Sequence, residues 1–404
     1  MTNPQLLGAL ASIHELQREL FRSVPDDASR GPLHPRLGCL SWQLAGAVYR
    51  ETYWLREVLC ADADLTARIG HLFPGHSSLE SASDPVGICA GLPPRDHLLA
   101  WAGEIQDEHL RRLANPGELP EHPLMDEGRL AWFVLQENAR AYERMIVLRL
   151  LHALTEHDGD FRVERPIGDG LGTVDTALVN QGHYRIGSRN DPFAYDNELP
   201  PQAVELSSFR IARAPVTNGQ YLAFMLAGGY SDPGLWDDAG RAWLGSIDAA
   251  PEAPLAWRRD ARGHWYEVGI NGPVGLLEEG AVSGINRHEA RAFAAWAAAR
   301  GQGHEGAVLQ HEYQWELAAR SGMIEGAGRV WEWCANPFHP YPDFSPFPDP
   351  GASQLAFERG DGVLRGASIF TQPCQRRASY RQPSLVDERA CLAGLRLVYP
   401  SGDD

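Results

Sequence analysis

The chain has 404 residues, 53 acidic against 36 basic, and a formal net charge of −17. An excess of negative charge this large works against nucleic acids and anionic membranes as partners, since both reward clustered cations. All 36 basic residues are arginine, which excludes chemistry that needs a primary amine on a flexible stem: a Walker-type phosphate loop, a Schiff base, a kinase strand lysine.

With 44% hydrophobic and 22% charged residues, the composition is that of a globular protein with sizeable cores, and the length suggests two or three domains. The N-terminal stretch MTNPQLLGALASIHELQREL mixes charges into a helical pattern and lacks the layout of a signal peptide. No apolar run approaches the roughly 20 residues that span a bilayer. The expected location is cytoplasmic. The six cysteines, at 39, 60, 89, 334, 374 and 391, form no CxxC pair, which fits reduced thiols.

In chain order, apolar residues recur at helical spacing over 4–23, about 41–61, about 94–114 and about 127–155, as in Trp132, Leu135, Ala139, Tyr142 and Ile146. Four such helices read as an up-down four-helix bundle, expected over 1–157. The connection at about 71–93 is longer than a bundle turn needs and reads as an irregular cap or a disordered loop. A linker is expected near 157–172. Beyond it, short alternating runs, frequent Gly and Pro and scattered tryptophans predict an α+β domain over 172–404 held by packed aromatics, with good helical windows only at about 217–227 and 286–300.

Four segments in this second half stand in a fixed order: YDNELPPQAVELSSFRIARAPVTNGQYLAFM (195–225), INRHEARAFAAWAAARG followed by LQHEYQWELAAR (285–320), GRVWEWCANPFHPYPDF (328–344), and VLRGASIFTQPCQRRASYR with AGLRLV (363–398). Together they resemble the formylglycine-generating-enzyme/sulfatase-modifying-factor fold, which is related to C-type lectins. A helical bundle in front of such a domain is similar to the ergothioneine-type sulfoxide synthases and their selenoneine- and ovothiol-synthase relatives. The resemblance implies a non-heme iron enzyme that joins a thiol or selenol to a histidine-derived imidazole using dioxygen. It also implies iron ligands from two bundle helices, one histidine on a W-x-L-x-H helix and two on an H-x-x-x-H-x-E helix. Imidazoles four residues apart share a helical face, and a third from a neighbouring helix completes a facial triad with open positions.

Both segments are present without their imidazoles. The first reads Ser41-Trp42-Gln43-Leu44-Ala45-Gly46, and the second VLQENARAYERM, so the three ligand positions fall on Gly46, Glu137 and Ala141, while the trailing glutamate remains as Glu143. Glycine and alanine cannot ligate, and Glu137 offers one hard oxygen where the pattern has three nitrogens. No cofactor is therefore expected, and iron(II) only if the site is relocated or completed by a partner. His14, His34, His71, His76, His97, His109, His122 and His152 belong to the bundle half, but none forms an H-x-x-x-H pair on a convincing helix. They read as scattered surface or capping residues.

The substrate half departs as well. Where the sulfoxide synthases carry an arginine followed by Asn-aromatic, this chain has Arg381-Gln382-Pro383-Ser384, and in Gly328-Arg329-Val330-Trp331-Glu332-Trp333 an arginine replaces the asparagine that helps relatives bind calcium. The two-cysteine copper site of aerobic formylglycine-generating enzymes has only Cys374 in the matching segment, with Thr371 near the first thiolate position. Cys334, Cys374 and Cys391 read as buried small hydrophobes, and Trp315, Trp331 and Trp333 as packing residues. The RxxGW-like stretch Arg241-Ala242-Trp243 has lost its glycine and reads as a channel loop or a surface connection.

Polar residues remain where the resemblance puts a cavity between bundle and lectin-like domain: Glu51, Gln136, Glu137, Arg140 and Glu143 on one side, Tyr341, Arg365, Arg376, Arg377, Arg381 and Gln382 on the other. The guanidiniums suit an anionic amino-acid or thiol-like ligand; the alternative is salt bridging in space left by a lost metal. Three functional readings follow. One is a catalytically silent small-molecule binder or partner subunit of an intact paralogue. The second is an oxidoreductase forming a C–S or C–Se bond at a relocated or carboxylate-containing metal site. The third is a metal-free reaction with Glu137 or Tyr341 as general acid or base.

Overall fold

The computed structural model describes residues 3–74, 82, 84–189, 191–247, 251–301, 303–348 and 350–402. The chain divides into two compact units, Met1–Glu156 with Gln372–Gln375, and His157–Thr371 with Arg376–Asp404.

The first unit is helical. Its helices are α1 (Pro4–Arg22), α2 (Asp26–Arg30), α3 (Leu40–Thr52), α4 (Asp64–Ile69), α5 (Pro85–Ala90), α6 (Arg95–Ala114) and α7 (Arg129–Glu156). Asn3 caps α1 by accepting from the Gln5 N–H, and Pro4 takes the first helical position, where no N–H is needed. Helix α3 continues into a π-helical turn over Tyr53–Val58, and all thirteen of its residues are buried. Helix α1 packs on α3, α6 and α7, and α3 on α6 and α7. The four long helices thus share a core around Phe21, Trp42, Leu44, Val48, Met145 and Leu148.

The 71–93 connection contributes to that core through Phe73, Cys89 and Leu92, with α5 capped by Asp84. His76 and most of the intervening stretch lie outside the described residues. No helix among the described residues is long and apolar enough to cross a membrane.

The second unit is mixed. Its strands are β1 (Thr176–Val179), β2 (Gly182–Ile186), β3 (Gln202–Leu206), β4 (Phe209–Ala212), β5 (Trp257–Arg259), β6 (Trp265–Gly269), β7 (Gly272–Gly275), β8 (Val308–Leu309), β9 (Trp331–Pro337), β10 (Gly362–Gly366), β11 (Gln382–Ser384), β12 (Ala393–Leu395) and β13 (Leu397–Pro400). They form sheets ordered β1-β4-β13-β8, β11-β10-β9-β12, β5-β6-β7 and β2-β3. Only β9 and β12 run parallel among the described pairs.

Between the strands stand α8 (Asn218–Leu226), α9 (Asp238–Ser246), α10 (Arg287–Arg300), α11 (Glu312–Arg320) and α12 (Pro350–Arg359). Sequence reading expects two helices here, and five are present among the described residues. Helices α9 and α11 are each nine residues long, as α8 is, but α9 buries only Gly240 and Trp243 and α11 has Glu312 and Glu316 among its buried residues, so neither shows a clear apolar repeat. Their caps specify them instead: Asp237 accepts from Gly240 N–H, and His311 with Gln314 makes a capping box. The Arg241-Ala242-Trp243 stretch is therefore helical and not a loop. Trp243 is buried and stacks on His288, their ring centres 5.9 Å apart.

Aromatics hold this unit together. Tyr221, Phe224, Phe293 and Trp296 pack with ring centres 5.3–5.7 Å apart, within the range that favours edge and offset contacts. Trp315, Trp331 and Trp333 are buried; Trp315 donates its indole N–H to Glu332 at 3.0 Å, and Trp333 donates to the Ile285 carbonyl at 2.9 Å.

Candidate functional site

The ligand positions expected on α3 and α7 carry no imidazole, and an arginine takes up the space. A Cβ on Gly46 would stand 3.2 Å from Arg50 Nη1 and 3.5 Å from the Phe73 ring. The glycine thus gives the guanidinium, one helical turn along α3, room to lie against its own helix. Arg50 is 5% exposed. Burial brings its pKa down to about 10, opposed by the Coulombic pull of Glu137 and assisted by Arg140. Glu137 in turn accepts from Arg140 Nη1 at 3.1 Å, and Ala141 is fully buried. Iron does not fit here. The one anionic donor is engaged with two guanidiniums, and a buried cationic side chain repels a divalent ion. Among the described residues no three His, Cys, Asp or Glu groups converge as metal ligands would.

Deeper in the same unit, all four long helices contribute to a buried polar cluster. His14 on α1 meets Glu51 Oε2 through Nε2 at 3.0 Å; His109 on α6 meets Oε1 through Nδ1 at 3.2 Å; Asn138 on α7 donates to Oε2 at 3.1 Å. Gln17 donates to Asn138, and Gln106 to Gln17. Every member is 0–2% exposed. Burial opposes the charge on Glu51, but His14 and His109 outweigh it and hold its carboxyl far below the ordinary value.

This corrects the sequence reading of both histidines as surface or capping residues. His34 and His122 do cap turns, accepting from backbone N–H groups at 3.2 Å. His14 and His109 were missed because no spacing links them; the signal available was a histidine on the apolar face of each of two helices. Glu51, read as a ligand-binding candidate, lies inside the core, its Oε2 hydrogen-bonded to His14 and Asn138 and its Oε1 3.2 Å from His109 Nδ1.

The cluster has a pH consequence. A carboxyl whose folded pKa is depressed contributes stability that is complete above the unfolded value near 4.5 and lost as the pH falls below it. Acid unfolding of wild type is therefore expected to steepen below that pH. Glu51→Gln should flatten the dependence there and lower stability near neutrality. Helical circular dichroism against pH measures it, and parallel curves for the two proteins would refute it.

In the mixed unit, the expected substrate-side arginines turn inward. Arg381 spans Glu312 with Nε–Oε2 at 2.7 Å and Nη2–Oε1 at 2.8 Å, and donates to the Asn197 and His339 carbonyls. Arg365 donates to Glu316 Oε2 at 2.5 Å and to the Ser379 carbonyl at 3.2 Å. All four side chains are at most 2% exposed. Burial pushes the Glu312 carboxyl up, but Arg381 more than offsets it, so the group titrates below its ordinary value. The physical reason for the inward turn is α11, which presents Glu312 and Glu316 on one face, four residues apart.

Arg376 caps the 368–371 turn, donating to the Thr371, Ile369 and Ser368 carbonyls. Arg377 grips Glu198 with two nitrogens. Gln382 accepts from the Tyr380 hydroxyl at 3.0 Å. Tyr341 is 2% exposed beneath Arg381, whose guanidinium lies 4.3 Å from the ring centre. Burial pushes its phenol up, and its hydroxyl has no hydrogen-bond partner among the described residues. In the helical unit Gln136 is buried, with its amide on the Trp132 carbonyl and its own carbonyl near Gln375 Nε2. Glu143 is half-buried on the same helix.

Cys334 is fully buried, while Cys374 and Cys391 are partly exposed, and all six cysteines are free thiols. Burial pushes the Cys334 and Cys391 thiols up, which suppresses thiolate chemistry at both.

The fold of the mixed unit and its motif order define a class. The family described as "Sulfatase-modifying factor enzyme 1-like domain" matches residues 171–326. A formylglycine-generating enzyme of Mycobacterium tuberculosis is 30% identical, in an alignment covering 54% of this chain and 95% of that one. The chain belongs to the formylglycine-generating-enzyme/sulfatase-modifying-factor superfamily. Within it, the hercynine oxygenase of Mycolicibacterium smegmatis is 28% identical across 91% of this chain and 92% of its own, so the likeness includes the helical unit. The hercynine oxygenase of Mycobacterium tuberculosis, also 28% identical, aligns over 53% and 58%.

Proposed function

We propose that this is a sulfoxide-synthase-like protein that has lost the three-histidine iron site. It acts in the cytoplasm as a catalytically silent binder of a small anionic ligand, amino-acid or thiol-like, or as the partner subunit of an active paralogue. Its helical unit reads as a DinB-like four-helix bundle. The observation that carries the reading is the replacement at Gly46, Glu137 and Ala141 together with Arg50 filling the space beside Gly46. The missing Cβ at Gly46 makes room for the buried guanidinium, and Glu137 supplies a carboxylate that attracts it. Support also comes from the near full-length likeness to a protein named as an oxygenase.

Protein purified without chelators is expected to hold far less than one iron per chain. It should consume no dioxygen with a thiol and a histidine derivative. Stoichiometric iron together with such consumption would overturn the reading.

One observation favours the second reading, an oxygen-dependent oxidoreductase with a relocated, carboxylate-containing site. His14, His109 and Glu51 make up the donor set of non-heme iron(II) oxygenases, two imidazoles and a carboxylate. Against it, one nitrogen of each imidazole already sits on a Glu51 oxygen, and the three groups are not arranged as metal ligands. The readings separate on variants: loss of turnover in Glu51→Gln with folding intact belongs to the second alone, while the same loss in Glu137→Ala belongs to the second or to the metal-free reaction.

A further inference from the structure

The mixed unit contains a cavity of about 390 Å³ lined by four arginines, Arg185, Arg189, Arg320 and Arg377, with Asp191 and Phe193. That volume suits a metabolite-sized ligand. Gly187 is part of its lining. Gly187, at φ +81°, brings the chain so close to Glu198 and Tyr341 that a Cβ would stand 2.9 Å from the Glu198 carbonyl oxygen.

Two of the arginines are fixed from behind. Arg320 donates from Nε to Glu316 Oε1 and from Nη2 to the Gly187 carbonyl, each at 2.9 Å. Arg377 holds Glu198, with Nε–Oε2 at 2.9 Å, and lies 5.0 Å from the Tyr380 ring centre and 5.5 Å from that of Phe193. The other two, Arg185 and Arg189, are exposed and have no ion-pair or hydrogen-bonding side-chain partner among the described residues. Asp191, the one carboxylate in the lining, accepts from Ser188 Oγ at 2.6 Å.

The charge does not balance. Glu316 serves both Arg320 and Arg365, and Glu312 both Arg365 and Arg381, so the cavity and its backing hold six guanidiniums against the four carboxylates Asp191, Glu198, Glu312 and Glu316. Two positive charges are left over in a chain whose net charge is −17. Forks fixed by packing lose little entropy on gripping an oxyanion, and guanidinium geometry matches phosphate and carboxylate oxygens pairwise.

We propose that this cavity binds a doubly charged oxyanion of metabolite size, a phosphate monoester or a dicarboxylate, on Arg185, Arg189, Arg320 and Arg377. The site is made wholly by the mixed unit and does not depend on the state of the metal positions at Gly46, Glu137 and Ala141.

Titration calorimetry of the full chain at fixed ionic strength, above neutral pH, with inorganic phosphate, succinate and acetate tests it. Saturable binding is expected for phosphate or succinate, at least tenfold tighter than for acetate; the tighter of the two identifies a phosphate ester or a dicarboxylate as the natural class. The exposed pair in Arg185→Gln/Arg189→Gln should weaken that binding at least tenfold with the thermal midpoint unchanged. Asp191→Asn should tighten it severalfold by removing the opposing charge. The proposal fails if neither dianion binds saturably, if acetate binds as well as the better dianion, or if both variants keep wild-type affinity.

Discussion

Replacing Glu332 with alanine is expected to destabilise the mixed unit by about 3–5 kcal/mol, the range for removing one partner of a buried ion pair. Glu332 on β9 is fully buried and accepts four hydrogen bonds. Arg396 donates from Nε at 2.8 Å and Nη2 at 2.7 Å, Gln310 at 3.1 Å and Trp315 at 3.0 Å. Arg396, also fully buried, reaches on to the Ala212 and Glu325 carbonyls at 2.9 Å. One carboxylate therefore ties β9 to α11, to the residue after β8, and, through Arg396, to β4 and the end of the 321–326 turn. Alanine would leave a guanidinium, an indole N–H and an amide without their acceptor in a site closed to water.

Urea unfolding followed by tryptophan fluorescence gives the change in midpoint. Glu332→Ala/Arg396→Met should recover a good part of the loss, since neutral replacement of both partners removes the uncompensated charge. A single-variant loss below about 1 kcal/mol would mean that the pair is not the anchor its geometry makes it.

The same network explains what could and could not be read from the residues. Helices α1 and α7 are legible because apolar spacing over many turns, with Asn3 and Pro4 at one start, overdetermines them; their ends fall within two residues of the expectation. Helix α11 is illegible by periodicity, because Glu312 and Glu316 stand among its buried residues and break the apolar repeat. At the site, Gly46 and Ala141 stand out because Trp42, Leu44 and Glu143 keep their places around them. Arg50 does not stand out, since its importance lies in volume: only the missing Cβ at position 46, one turn earlier, lets it fold back. Charge partners are the least visible. Nothing local says that Arg365 and Arg381 turn inward to Glu316 and Glu312, or that Glu51 lies between His14 and His109. Those pairings are set by tertiary packing and by the penalty for burying a charge alone, which selects partners regardless of their separation in sequence.

Restoring the three imidazoles by Gly46→His/Glu137→His/Ala141→His is expected not to restore iron binding unless Arg50 is also shortened. A Cβ at position 46 already meets Arg50 Nη1 at 3.2 Å, so an imidazole there competes with the guanidinium for one volume. Removing Glu137 at the same time takes away the carboxylate that draws Arg50 inward, leaving a buried cation beside the place a divalent ion would occupy. Adding Arg50→Ala empties that volume and that charge together. Ala141 is fully buried, and overpacking there costs about 1–3 kcal/mol, so cooperative thermal unfolding of each variant is the necessary control. After anaerobic reconstitution and desalting, the fourfold variant should retain close to one iron per chain and the threefold variant far less. Cobalt(II) absorption gives the same comparison optically. If the threefold variant binds as well as the fourfold one, Arg50 is not what holds the position closed. If the ranking holds, loss of the metal site was completed by a side chain that no ligand motif includes, and reversing it requires a change at that residue as well as at the three ligands.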